Sequence, residues 1–168
     1  IKCLIDYYFN NTNQNILLLA YTNRAVDEIC SAINTLLNNE FLRIGSRYST
    51  NEKYVKNLLR VQTERLSNRA ELKKFFAGFR IFVSTISSFQ SNNDYRNVAD
   101  FDVVIVDEAS QVLEPMLLGL LSAFDKFILI GDHKQLPAVV IQSDERSVCK
   151  HKDIKEETGL ENLRISLF

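Results

Sequence analysis

Val103-Val104-Ile105-Val106-Asp107-Glu108-Ala109-Ser110-Gln111 sets four consecutive β-branched apolar residues immediately before two adjacent carboxylates. Such a run suits a strand buried on both faces, and it delivers Asp107 and Glu108 to the strand's carboxyl end. Downstream, Phe127-Ile128-Leu129-Ile130-Gly131-Asp132-His133-Lys134-Gln135-Leu136-Pro137 repeats the design. Gly131 permits a sharp turn after its strand, Asp132 and Gln135 fall beside the Asp107–Glu108 edge, and Pro137 stiffens the exit. Carboxylates and amides at the carboxyl ends of neighbouring parallel strands sit where open α/β sheets bind ligands.

The rest of the chain supports that sheet. Ile1, Leu4, Ile5 and Tyr8 mark a short amphipathic helix, and Asn10 to Asn15 reads as a loop. Ile16 to Ala20 is a buried strand ending at Tyr21-Thr22-Asn23. It leads into a helix with Val26, Ile29, Ile33 and Leu37 inward and Thr22 or Asn23 as N-cap. Phe41 to Ile44 is a short strand closed by Gly45, and residues 51–77 are expected to be mostly helical. Ile81-Phe82-Val83 is a strand running into Ser84-Thr85, and residues 91–97 form a polar loop. A helix is expected around 112–123, a strand over 127–130, a charged and partly looped tail over 142–157, and a packed segment from Leu160 to Phe168. Strands alternating with helices predict an α/β fold with a parallel sheet covered on both faces.

Composition places few other bounds. The 168 residues, 46% hydrophobic and 24% charged, suit one globular domain rather than a disordered chain. Cys3, Cys30 and Cys149 are odd in number and scattered, which suggests neither a disulfide framework nor a zinc site. Cys149-x-His151 matches none of the zinc spacings. No apolar run approaches the roughly 20 residues that span a bilayer, so no membrane partner is expected. Cytoplasm, or nucleus in a eukaryote, is the expected compartment. Ile1 is not a natural start, so targeting information is expected to lie outside these residues.

The net charge of −1 hides an asymmetry, because the segment from Arg43 to Arg80 carries ten Lys/Arg against Glu52, Glu64 and Glu71. Lys53, Lys56 and Arg60, then Arg65, Arg69 and Lys73, fall at helical spacings and would form one positive stripe able to neutralise nucleic-acid phosphates. A solvated helix face has the same pattern.

Phosphoanhydride hydrolysis needs a metal near the β- and γ-phosphates and a group that orients or deprotonates the attacking water. Successive residues leaving a strand point in different directions, so Asp107 can face a metal while Glu108 faces water. The alternative is a strand that merely ends in capping carboxylates. A glutamine amide both donates and accepts hydrogen bonds, which suits Gln135 to sensing a bound γ-phosphate. No G-x-x-x-x-G-K-[ST] loop occurs in the 168 residues.

With these residues in view, the chain resembles the first RecA-like domain of a superfamily 1 helicase. Asp107-Glu108-Ala109-Ser110-Gln111 and Gly131-Asp132-His133-Lys134-Gln135-Leu136-Pro137 are similar to motifs II and III of that superfamily. Leu18 to Asp27 resembles motif Ia, Val83-Ser84-Thr85-Ile86 the next strand-contacting motif, and Ser166-Leu167-Phe168 the segment that closes the first domain. The resemblance spans nearly the whole chain. It points to the branch containing the Okazaki-fragment nuclease–helicase and the nonsense-mediated-decay RNA helicase. Phe-Leu-Arg-Ile-Gly and Gly-Asp-His-x-Gln-Leu-Pro suit the former better.

The resemblance implies an α/β RecA-like P-loop NTPase fold, truncated so that the phosphate-loop strand is missing. Residues 1–168 would be a partial first domain lacking the Walker A loop, with a basic helical insertion at 45–80. It implies ATP and Mg2+ as cofactors, with Asp107 holding magnesium, Glu108 as catalytic base, Gln135 as γ-phosphate sensor and Asp132 supporting its loop. Thr22, Asn23, Ser84 and Thr85 would contact single-stranded DNA or RNA. A helix opening at Thr22-Asn23 also presents amides and a dipole that favour a backbone phosphate. Two departures stand out: Ala138 replaces a second proline of motif III, and the second RecA-like domain of the parent chain, with its arginine fingers, is absent.

The parent is therefore expected to be an ATP-hydrolysing helicase or translocase in DNA replication or repair, and the isolated chain to be inactive. A non-catalytic nucleic-acid-binding module that keeps the fold is the alternative. Without the preceding strand, Phe127 to Ile130 becomes an apolar edge, which predicts either self-association or cover by the tail, Leu163 to Phe168.

Overall fold

β1 (Ile16–Ala20) lies at the centre of a five-stranded parallel sheet because all five of its residues are apolar and both of its faces are covered. The other strands are β2 (Leu42–Ile44), β3 (Ile81–Thr85), β4 (Val103–Val106) and β5 (Phe127–Leu129), in the order β2-β3-β1-β4-β5. The structure, a computed structural model, describes residues 1–91, 99–132, 134–135 and 138–166. The expected polar loop at 91–97 therefore lies almost wholly outside the described residues, as do His133, Leu136, Pro137, Leu167 and Phe168.

Strand residues alternate between two apolar layers. Ile16, Leu18 and Ala20 of β1 face the layer built with α1 (Lys2–Asn11) and α2 (Asn23–Leu37). Leu17 and Leu19 face the opposite layer, completed by α3 (Leu59–Thr63), α4 (Arg69–Phe76), α5 (Ile86–Gln90) and α6 (Glu114–Leu121). Two short helices follow β5, α7 (Asp144–Ser147) and α8 (Lys152–Thr158). No helix among the described residues is long and apolar enough to cross a membrane.

Three departures from the sequence-based expectations have local causes. First, α1 runs on through Asn10 and Asn11. Their side-chain amides donate to the Asp6 carboxylate (2.9 Å) and the Tyr7 carbonyl (2.8 Å). Arg80 then donates to the Tyr8 and Phe9 carbonyls at 3.3 and 3.0 Å while its guanidinium sits over the Phe9 ring. That cation adds to the Thr12 bonds on the Tyr8 carbonyl, bonds the Phe9 carbonyl as well, and complements a last turn that lacks basic residues of its own.

Second, residues 51–77 are mostly helical as expected, but in separate pieces that do not carry one continuous stripe. Glu52–Asn57 is a 3-10 helix, and Leu58 leaves it in extended conformation to bridge Arg43 in parallel on the outer side of β2. Buried Asn57 fixes the break, its amide donating to the Asn39 and Phe41 carbonyls at 3.0 and 3.2 Å. Asn68 then caps α4 by accepting the Glu71 N–H (2.9 Å), and Glu71 returns the bond by accepting the Ser67 N–H (3.0 Å). Lys53, Lys56, Arg60, Arg65, Arg69 and Lys73 are all exposed, but on separate short elements rather than as one stripe.

Third, the described part of the tail does not cover β5. Among the described residues its bonds go elsewhere: Glu114 N–H to the Ile165 carbonyl (2.8 Å), Leu163 N–H to the Ser147 carbonyl (2.8 Å) and Cys149 N–H to the Glu161 carbonyl (2.9 Å). An Arg164–Asp144 ion pair completes the attachment. The tail packs on the start of α6 and on α7, and β5 stays an edge strand with Phe127 48% exposed.

Candidate functional site

A sheet with every strand parallel gathers every strand exit on one edge, and the register aligns them closely. Ala20 lies opposite Thr85, Leu19 opposite Val106, and Val106 opposite Leu129. Thr22, Asn23, Thr85, Asp107, Glu108, Asp132 and Gln135 therefore occupy one carboxyl edge, with the acids over β4–β5 and the hydroxyls over β1–β3.

The β4 and β5 exits are laced together. The Asp107 N–H donates to the Leu19 carbonyl (2.8 Å), the Ile130 N–H to Val106 (2.8 Å) and the Ala109 N–H back to Ile130 (2.8 Å). The Asp132 N–H reaches the Ser110 hydroxyl at 3.4 Å. Ser110 is buried, and its role as a link between the two exits is not evident from the motif pattern. A small hydroxyl residue following an acid pair was the available signal. Asp132 turns its own loop, accepting the Lys134 N–H on its carboxylate (2.9 Å) and the Gln135 N–H on its carbonyl (3.0 Å). Gln135 is exposed at that turn.

Glu108 has a left-handed backbone, φ 54° and ψ 35°, and opens a 3-10 turn over Ala109–Gln111. Such a conformation is unfavourable for a residue with a Cβ and persists only where its surroundings impose it. Here the Glu108 N–H bonds the Asp107 carboxylate at 3.1 Å and the following residue is tied to β5. Partial burial pushes the Glu108 carboxyl above its ordinary value. The charges of Asp107 and Glu28 add to that rise, and Arg24 opposes it. Arg24 and Glu28 are themselves paired at 3.1 Å on the first turns of α2, so the acid pair and the α2 N-terminus share one electrostatic environment.

On the β1–β3 side, Thr22 caps α2 by accepting the Ala25 N–H (3.1 Å), and both Thr22 and Asn23 are exposed. Thr85 caps α5, accepting the Ser88 N–H (3.1 Å), and is 5% exposed. Ser84 is wholly buried, its hydroxyl bonded to the Ile44 carbonyl (3.2 Å) and the Thr85 carbonyl (2.9 Å). It ties β2 to β3 and offers no surface to a strand.

Neighbouring groups have other duties. Arg43, 1% exposed, points from β2 to Asp27 of α2 and also donates to the Ser49 carbonyl (3.3 Å); burial pushes its guanidinium down to about 10. Burial likewise pushes the Cys30 thiol up to about 12, which makes it an inert core residue. Among the described residues no group of three or more His, Cys, Asp or Glu side chains is arranged to hold a metal. Magnesium commonly needs only one or two carboxylates, its remaining ligands being water and phosphate oxygens. The half-buried Asp107 carboxylate on the strand edge fits that demand.

The chain is similar to several known proteins. The family described as AAA domain matches residues 47–143. The DNA replication ATP-dependent helicase/nuclease dna2 of Schizosaccharomyces pombe is 34% identical over 155 residues, covering 92% of this chain and 10% of that protein. DNA2 of Saccharomyces cerevisiae is 31% identical, covering 76% of this chain and 8% of that protein. DNA2 of Mus musculus is 30% identical, covering 80% and 12%. The chain thus spans about a tenth of the length of these relatives. In fold, the crystal structure of T4 UvsW aligns with a TM-score of 0.51 at 16% identity, over 82% of this chain and 25% of that one. The α/β RecA-like architecture expected from the motifs is the one observed.

Proposed function

This chain belongs to the AAA domain family, and on that premise we propose that its parent is an ATP-dependent helicase or translocase working on single-stranded nucleic acid in DNA replication or repair. The observation that carries the reading is the lacing of the Asp107–Glu108 exit to the Gly131–Gln135 loop by the Ala109–Ile130 and Ser110–Asp132 bonds. It brings the acid pair and the loop that carries Gln135 to the ligand-binding edge of a parallel sheet.

Glu108 is the group that takes the proton of the attacking water. Its raised pKa makes it a better base than an ordinary carboxylate, and its imposed left-handed backbone aims it independently of Asp107. Gln135 senses the γ-phosphate from the loop that Asp132 shapes. Asp107 would hold Mg2+, which when bound neutralises charge developing on the phosphates. Thr22 and Asn23, exposed on the α2 N-terminus, bind the strand backbone, and Thr85 supports that track from α5. Buried Ser84 positions β2 rather than touching the strand.

Residues 45–80 act as a basic insertion beside this track. A second RecA-like domain of the parent chain completes the nucleotide site, and the isolated chain is inactive without it. The relatives' names favour DNA as substrate, and a nuclear or cytoplasmic setting suits a role in DNA replication. A purely binding module has no use for a strained, water-facing carboxylate, so that alternative is the weaker one.

The test is Glu108→Gln in the complete parent. The amide is isosteric but accepts no proton, so turnover should fall about 10²–10⁴-fold with nucleotide binding retained. Near-normal hydrolysis would sink the assignment.

A further inference from the structure

We propose that a hollow at the end of β2 is a base-stacking subsite for a single strand, with Tyr48 as its platform and Arg47 and Arg60 as its phosphate partners. The inference rests on the nucleic-acid reading above and extends it to residues that the motifs do not reach.

The hollow has a volume of about 570 Å³ and lies between the loop that begins at Gly45 and α3. Tyr48 on its rim is fully exposed, at 100%, although an aromatic ring ordinarily gains from burial. The backbone that carries it is nevertheless held in a fixed turn. The Tyr48 N–H bonds the Ser46 hydroxyl (3.3 Å), the Thr50 hydroxyl donates to the Ser46 carbonyl (2.8 Å), and buried Arg43 donates to the Ser49 carbonyl (3.3 Å). An aromatic face kept in water on a fixed backbone turn, with no ring partner among the described residues, is what an unpaired base requires.

Charge and position agree. Arg47 and Arg60 line the same hollow, Val61 adds apolar floor, and Glu64 is the one carboxylate among its lining residues. The surrounding segment from Arg43 to Arg80 carries ten cationic residues against three acids. The hollow also continues the proposed track. Ile44 pairs with Ser84, so Gly45 leaves the sheet beside Thr85, and the Leu58–Arg43 bridge brings α3 to the same carboxyl edge. A strand lying along Thr22, Asn23 and Thr85 reaches Tyr48 next as it crosses β2. Arginine guanidinium and tyrosine side by side meet a nucleotide's two demands, phosphate charge and a stacking face.

The experiment uses the complete parent protein. Oligodeoxynucleotides and oligoribonucleotides of one sequence carry 2-aminopurine or an abasic residue at successive positions. Tyr48→Ala should weaken binding about 5- to 100-fold, with Tyr48→Phe close to native. An abasic residue at one position should weaken the native protein similarly and the Tyr48→Ala variant hardly at all, and 2-aminopurine at that position should lose its quenching in the variant. Arg60→Ala should lower the salt slope by about one. Native protein that binds strands tightly while Tyr48→Ala binds them equally well overturns this subsite alone. Native protein that binds no strand overturns both the subsite and the reading beneath it.

Discussion

The Ser110 hydroxyl accepts the Asp132 N–H at 3.4 Å, joining two strand exits whose residues are far apart in sequence. With the Ala109–Ile130 bond beside it, this contact makes the acid pair and the glutamine loop one mechanical unit.

Ser110→Ala in the parent should therefore slow ATP turnover by up to about tenfold, in keeping with one hydrogen bond of about 0.5–1.5 kcal/mol. Ser110→Thr should restore most of the rate. Nucleotide affinity and turnover measured on the same preparations should separate, the rate falling more than the binding. A rate unchanged in the alanine variant would leave the bond without a functional role.

The pH dependence of Glu108 has a defined sign. A carboxyl whose folded pKa is raised is protonated over a wider range when folded than when unfolded, so its contribution to stability is lost as pH rises from the ordinary carboxylate range through the raised value. Glu108→Gln should thus be the more stable protein at neutral pH, and the two melting temperatures should converge in acid. The catalytic rate should instead rise through the same window, because the base must be ionised. Melting curves at several pH values, set beside a pH–rate profile, would check both halves.

Arg43 and Asp27 provide a stability test remote from the acids. Arg43 is buried and paired, so Asp27→Ala leaves a buried guanidinium without its counter-charge. The expected cost is about 3–5 kcal/mol, read as a drop in urea midpoint. Arg43→Met, which removes the charge along with the need for a partner, should cost much less on its own and should rescue Asp27→Ala.

Among the described residues no strand pairs with the outer edge of β5, which predicts behaviour for the 168 residues alone. Phe127-Ile128-Leu129-Ile130 carries neither charge nor proline, and the tail packs on α6 and α7 instead of against it. Unprotected edges of this kind template pairing with another chain. Sedimentation should find concentration-dependent association, reduced by Phe127→Lys, which places a charge on the exposed residue of that strand. A monodisperse monomer at high concentration would argue against an available edge.

Sequence alone determined the strands β1 and β4, the parallel α/β class, a helix cap at Thr22 or Asn23 and the acids' position at a strand end. Each depends on a local pattern: continuous apolar runs, a capping hydroxyl, a charge pair at the close of a run. Tertiary structure decided where local propensity met competing contacts. Asn57 and the Leu58–Arg43 bridge broke a helical pattern because pairing with an edge strand satisfies backbone groups that a longer helix would have satisfied otherwise. Arg80 lengthened α1 by supplying a cation from a distant part of the chain. Glu108's left-handed backbone, Ser84's burial and Ser110's bond to Asp132 likewise left no mark in periodicity, because each is fixed by partners brought near only when the strands align.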